Sequence, residues 1–265
     1  MKVYEKLLKI QVSKNSRLCV GLDPRIELLP KPFKKKLRDL LKFLEIIIEI
    51  THPFACAYKI NFAFFEQYGS KGLRLIESIK KTIPNDIITI ADVKRSDIGS
   101  TSQAYAKSIY SHFGFHSATL NPYLGIDSLL PFFEYEDRLN FVLICTSNPG
   151  SADFQKIKVG DLFFFEIVLD KLATFYPSEN LGLVVGATNT KEFKIVREKC
   201  QSNFILAPGI GAQGGNLSEI LVTNQNFPLL VNVSRDIIFA GSNEDFETQI
   251  LNKTKYYFEQ LKIVK

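Results

Sequence analysis

The chain has 265 residues, 46% of them hydrophobic, and 33 basic against 28 acidic side chains give a formal net charge of +5. That length supports one large core, and α/β barrels of this size fold as a single unit. No apolar run approaches the ~20 residues of a membrane-crossing helix, because residues 40–50 are broken by Lys42, Glu45 and Glu49. The basic residues are scattered apart from Lys34, Lys35 and Lys36, which read as a solvated helix start. Neither nucleic acid nor a membrane is therefore an expected partner, and the mildly basic balance suits an anionic small substrate. Cys19, Cys56, Cys145 and Cys200 sit in apolar runs without C-x-x-C spacing, as expected of reduced core residues in a cytoplasmic protein.

In chain order, residues 1–14 read as a short amphipathic helix with Leu7, Leu8 and Ile10 on its apolar side, not as a secretory leader. Lying before the first strand, it is placed to close one end of a barrel. Residues 18–22, LCVGL, are the first strand, ended by Asp23-Pro24. Leu37, Leu40, Leu41, Leu44 and Ile48 recur at helical spacing within 33–50. The second strand, 54–61, ends with Lys59 and Asn61 on one face. A helix over 63–82 is interrupted near Gly69 and Gly72. The third strand spans 84–93 and the next helix 101–113.

The alternation continues with strands at 117–120, 140–145, 181–186, 204–207 and 229–233. Helices are expected at 125–134, 161–176, 190–200, from the turn at 208–215 to about 223, and at 243–262, with a polar loop over 146–160. Strands alternating with helices pair in parallel, and eight such units predict a (β/α)8 TIM barrel. The expected organisation is a single domain, 1–265, with an extra N-terminal helix. A doubly wound open sheet is the alternative.

The third strand turns from apolar residues into charge. Residues two apart on a strand share a face, so Asp92 and Lys94 project side by side, with Asp97 following. A buried carboxylate and ammonium are costly unless paired. Taken alone, D-x-K-x-x-D is an ion pair at a strand mouth with Thr101 as helix cap. Asp23, Lys59, Asn61, Asp92, Lys94, Ser147 and Arg235 all fall at C-terminal strand ends, however, and in a barrel those ends meet at the mouth where active sites lie.

The turn after the seventh strand, A-P-G-I-G-A-Q-G-G, lets backbone N–H groups approach an anion, with a helix N-terminus behind it. Barrel phosphate sites form after the seventh and eighth strands, and Arg235 after the eighth suits bidentate contact. His112 and His116 lack an intervening Glu, so no metal site is expected. Cys145 has no evident His partner for a catalytic thiol.

Four segments carry a resemblance: A-Y-K-I-N-F-A-F-F-E, A-D-V-K-R-S-D-I-G-S-T, T-S-N-P-G-S-A-D-F-Q and A-P-G-I-G-A-Q-G-G. Together they resemble the orotidine 5′-phosphate decarboxylase family, in its branch with K-R-x-D-I-G-S-T after the third strand. The resemblance implies cofactor-free decarboxylation of orotidine 5′-monophosphate to UMP. Lys94 then stabilises a C6 carbanion and delivers its proton, and Asp92 sits against the substrate carboxylate. Lys59 and Asp97 hold the charge network and bind ribose hydroxyls. Asp23 matches a ribose-contacting aspartate, Ser147 the pyrimidine edge, and Gln213, Gly214 and Arg235 the phosphate grip, with Asn61 and Pro208 as further substrate-binding candidates. The resemblance further implies a homodimer in which Asp97 and Thr101 reach the neighbouring site.

Two other functions use the same residues. A metal-assisted phosphosugar lyase or aldolase needs a further carboxylate ligand, for which Glu66 is the candidate. A non-catalytic nucleotide-binding barrel needs no lysine between two aspartates.

Overall fold

A computed structural model of the chain describes residues 1–211 and 214–263. The eight apolar runs form a closed, parallel barrel. Its strands are β1 (Leu18–Leu22), β2 (Ala57–Asn61), β3 (Ile88–Arg95), β4 (Ser117–Leu120), β5 (Leu139–Cys145), β6 (Leu181–Val185), β7 (Ile205–Pro208) and β8 (Leu229–Val233). Each pairs with the next, and β8 pairs with β1. The principal helices are α1 (Val3–Lys14), α2 (Leu37–Thr51), α3 (Ser70–Thr82), α4 (Gly99–Lys107), α5 (Ile126–Phe133), α6 (Phe164–Phe175), α7 (Thr190–Lys199), α8 (Leu217–Asn224) and α9 (Phe246–Gln260).

Several boundaries differ from those the periodicity suggests, each for a local reason. α2 starts only at Leu37, because Lys35 has a left-handed φ of 55° and the Asp39 carboxylate accepts from the Lys36 N–H at 3.0 Å. The interruption expected near Gly69 and Gly72 is present, by contrast: Ala63–Glu66 and α3 are separate helices on either side of Gly69. A Cβ at Gly72 would lie 1.8 Å from the Phe65 carbonyl oxygen, so only glycine permits the two pieces to pack. α4 starts at Gly99 with Ile98 as N-cap, so Thr101 is an exposed residue inside the first turn and not the cap. α6 begins at Phe164, not Asp161, because Lys158–Val159 and Leu162–Phe163 pair as a short antiparallel hairpin. The Glu166 carboxylate then accepts from the Phe163 N–H at 3.1 Å. The last helix likewise starts later, at Phe246, and a separate short helix, Arg235–Ile238, follows β8.

The core has two layers. One lies between barrel and helices; the other fills the barrel with Cys19, Ile88, Ile90, Phe141, Leu206 and Leu230. Phe141 occupies the space a side chain at Gly182 would take, since a Cβ there would lie 2.5 Å from its ring. α1 closes the N-terminal end of the barrel, as the sequence predicts. Val3, Leu7 and Ile10 join the interior cluster, Gln11 donates to the Leu229 carbonyl at 2.6 Å, and Tyr4 meets Phe204 edge-on.

His116 stands at that end of β4, and its Nδ1 accepts from the Thr89 N–H at 3.1 Å. Burial, then the charges of Lys6, Lys80 and Arg138, pull its pKa from 6.5 down to about 3. It is therefore neutral in the fold at pH values where the unfolded chain would protonate it. Between 6.5 and about 3 the unfolded state binds more protons, so this group makes stability fall with falling pH. The expected result is a melting temperature that drops on acidification through this window, with a shallower slope for His116→Gln. Equal slopes would exclude His116 as a source of the acid sensitivity.

Candidate active site

Along a barrel strand alternate residues point inward. Ala57, Lys59 and Asn61 form one such series, Ile88, Ile90 and Asp92 a second, and Leu230 and Asn232 a third. In each the deep residue is apolar and belongs to the sealed interior, whereas the upper residues are polar and line a cavity of about 350 Å³ at the C-terminal mouth. The closed floor excludes water from below and leaves the mouth as the approach.

A continuous charge network crosses this cavity. Lys59 Nζ donates to Asp92 Oδ2 at 2.6 Å, and Lys94 Nζ donates to Asp92 Oδ1 at 2.5 Å. Lys59 Nζ also lies 4.0 Å from Asp23 Oδ1. Burial works against the Lys59 ammonium, but the carboxylates of Asp92 and Asp23 outweigh it and hold its pKa above the usual lysine value. Burial likewise works against the Asp92 carboxylate, and Lys59 and Lys94 outweigh it, holding its pKa well below the usual range. Asp92 is thus ionised at neutral pH between two ammonium groups. The lysines differ in access: the Lys59 side chain is 5% exposed and that of Lys94 49%. Lys59 anchors the network, and Lys94 presents its ammonium to whatever enters the cavity.

Asp23 accepts from Ser234 Oγ at 2.6 Å through Oδ2. Its Oδ1 is buried without a hydrogen-bond partner among the described residues, an acceptor suited to a ligand hydroxyl. Ser147, Pro208 and Arg235 also line the cavity, with Gly209 beside Pro208. Gly209 and Gly211 have φ of 102° and 82°, backbone that only glycine adopts readily. A Cβ at Gly211 would meet Asp236 and the Tyr257 hydroxyl at 2.9 Å. Gly214, with φ of 74°, does not line the cavity, and Gln213 lies outside the described residues.

Asp97 and Thr101 do not line the cavity of their own chain. β3 ends at Arg95, and Asp97 sits in the following turn, where its carboxylate accepts from the Ile98 N–H at 2.8 Å. Glu66 pairs with Arg95 at 2.5 Å and is likewise absent from the cavity wall. Among the described residues, no group of three or more His, Cys, Asp or Glu side chains is placed to hold a metal ion. Burial raises the Cys145 thiol to about 12, so it is not a thiolate at neutral pH.

Thr119, Asn232 and Ser234 also line the cavity, although no motif in the sequence singles them out. The available signal for Asn232 is a lone polar residue inside the apolar strand LLVNV, and for Thr119 a polar position two residues after Ser117 on one face of β4. For Ser234 it is adjacency to Arg235.

A parallel barrel with a lysine–aspartate–lysine network and a glycine-lined turn at its C-terminal mouth defines a barrel enzyme with a site for an anionic ligand. The chain belongs to the orotidine 5′-phosphate decarboxylase / HUMPS family, whose sequence model matches residues 16–246. An orotidine 5′-phosphate decarboxylase of Dehalococcoides mccartyi is 46% identical over 253 residues, covering 93% of this chain and 92% of the relative. The OMP decarboxylase structure of Leishmania donovani superposes with a TM-score of 0.84 at 35% identity, covering 98% of this chain and all of that one. The UMP synthase structure of the same organism gives a TM-score of 0.85 at 36% identity. This chain spans 97% of its own length there but only 57% of the UMP synthase.

Proposed function

We propose that this chain decarboxylates orotidine 5′-monophosphate to UMP and CO2, the last step of UMP biosynthesis. The observation that carries the reading is Asp92 held ionised between buried Lys59 and accessible Lys94. Family membership and the 46%-identical relative support the choice of substrate.

In this mechanism the substrate carboxylate at C6 lies beside Asp92 and Lys94. The bond from C6 to the carboxylate carbon breaks, and its electron pair remains on C6 as CO2 departs. That carbanion has little resonance delocalisation, so a preorganised cation in a dry site must stabilise it. Lys94 supplies the charge. Its Nζ–H proton then passes to C6 to complete UMP, and solvent reprotonates the amine.

The remaining assignments rest on the cavity wall for Asp23, Lys59, Asn61, Ser147, Pro208 and Arg235, and on family membership for Gln213, Gly214, Asp97 and Thr101. The free Asp23 Oδ1 and the Lys59 ammonium suit ribose hydroxyls, with Asn61 on the same wall. Ser147 faces the pyrimidine. Pro208, Gln213, Gly214 and Arg235 grip the phosphate. Asp97 and Thr101 serve the neighbouring site of a homodimer. Apolar exposure supports that dimer: Ile98 beside Asp97 is 61% exposed, Tyr123 73% and Phe154 63%, and the last two border one apolar groove. The reading treats residues 1–265 as one barrel domain in the cytoplasm, where four free, buried cysteines remain reduced.

The test is the absorbance change of orotidine 5′-monophosphate with purified protein in excess chelator. Conversion to UMP is expected, undiminished by the chelator. No conversion with UMP still bound would indicate a non-catalytic barrel. Neither conversion nor binding would turn attention to phosphosugars with magnesium.

A further inference from the structure

β3 leaves its regular ladder just where the charge network begins. Its pairing with β4 shifts register between Ala91 and Arg95, and Lys94 has a φ of 46°. A non-glycine residue in that left-handed region is held there by its surroundings. Such an irregularity takes backbone groups out of the strand ladder, and they need other partners.

One side chain supplies them. Thr119 Oγ1, on β4, accepts from the backbone N–H groups of both Val93 and Lys94, at 3.0 Å each. Its own hydroxyl proton goes to Asp92 Oδ1, also at 3.0 Å. With two bonds accepted and one donated, the hydroxyl's capacity is filled. Thr119 is 2% exposed, so water does not substitute for any of these bonds. Asp92 Oδ1 is also the oxygen that receives Lys94 Nζ. A single hydroxyl therefore fixes both the backbone from which Lys94 projects and the carboxylate oxygen that its ammonium meets.

We infer that Thr119 is a positioning residue for decarboxylation, setting the backbone of Lys94 and the orientation of Asp92 through its one hydroxyl. The inference rests on the decarboxylase reading above. Valine has the same shape but cannot accept a hydrogen bond. It would leave two part-buried N–H groups and one carboxylate lone pair without this partner, and the irregular turn would relax. Serine retains the oxygen and all three bonds.

The experiment compares wild type, Thr119→Val and Thr119→Ser by turnover of orotidine 5′-monophosphate, by UMP binding and by melting temperature. Thr119→Val is expected to lose on the order of 100-fold in kcat, the scale of an ångström-sized misplacement at a reacting centre. UMP carries no C6 carboxylate, so its affinity should stay close to that of wild type. Thr119→Ser should restore most of kcat. A valine variant with wild-type kcat would overturn the inference. So would a valine variant whose UMP affinity falls as far as its kcat, or a serine variant no better than valine. Should Thr119→Val not fold, Thr119→Ala takes its place in the same comparison. A wild-type chain that does not turn over the nucleotide would overturn the decarboxylase reading and this inference together, whereas the variant outcomes bear on Thr119 alone.

Discussion

Replacing Lys94 by alanine is expected to reduce kcat by about 10³-fold or more while leaving UMP affinity close to that of wild type. The size follows from two losses at once: charge stabilisation at the developing carbanion and the general acid that protonates it. The split between turnover and binding follows from geometry. Lys94 presents an accessible ammonium to the cavity, beside the position proposed for the reacting carbon, while the other proposed product contacts come from Asp23, Ser147 and Arg235 elsewhere in the cavity wall. The variant should fold, because the Lys94 side chain is half-exposed and Asp92 keeps Lys59 at 2.6 Å. Single-turnover assays and UMP titration of the same preparation decide the matter. A variant retaining a tenth or so of wild-type turnover would require a different proton donor. The buried Lys59 could not easily replace it, since both Asp92 and Asp23 hold its ammonium at the cavity floor.

The parts of this site that were legible in the sequence are those set by local period. β2 and β3 place Lys59, Asn61 and Asp92 on inward positions through the simple alternation of a strand, and β-to-α alternation brings strand ends to one mouth. The parts that were not legible depend on neighbouring strands. Same-face alternation correctly pairs Lys94 with Asp92, but it does not reveal that Lys94 has left-handed backbone. That conformation is stabilised by Thr119, a residue 25 positions away in sequence on the adjacent strand. Asp97 reads as a third member of the network because D-x-K-x-x-D groups it with the others. Within its own chain its carboxylate accepts from the Ile98 N–H at the head of α4, outside the cavity, so strand parity alone does not tell which site it serves. The hairpin before α6 has strands of only two residues, too short for any periodicity to register.

Replacing Arg235 by alanine is expected to weaken UMP binding by about 10- to 100-fold, with almost no change for uridine. Hydrogen bonds to a charged partner contribute about 1.5–3 kcal/mol, which converts to that range. Arg235 lies at the head of the short helix after β8 and lines the cavity together with Pro208, Gly209 and Ile210. Its planar guanidinium can meet two phosphate oxygens at once, so Arg235→Lys should restore only part of the loss. Calorimetric titration of both ligands separates charge recognition from damage to the whole pocket. Equal losses for UMP and uridine would contradict the phosphate assignment. The effect on catalysis should extend beyond affinity. Phosphate contacts are remote from C6, and remote binding energy can be used to close a site and orient the reacting group. The variant should therefore show a lower kcat as well as a higher KM for orotidine 5′-monophosphate. A rise in KM alone would mean that Arg235 holds the ligand equally in ground and transition states. The preorganisation needed for decarboxylation would then reside wholly in the lysine–aspartate network.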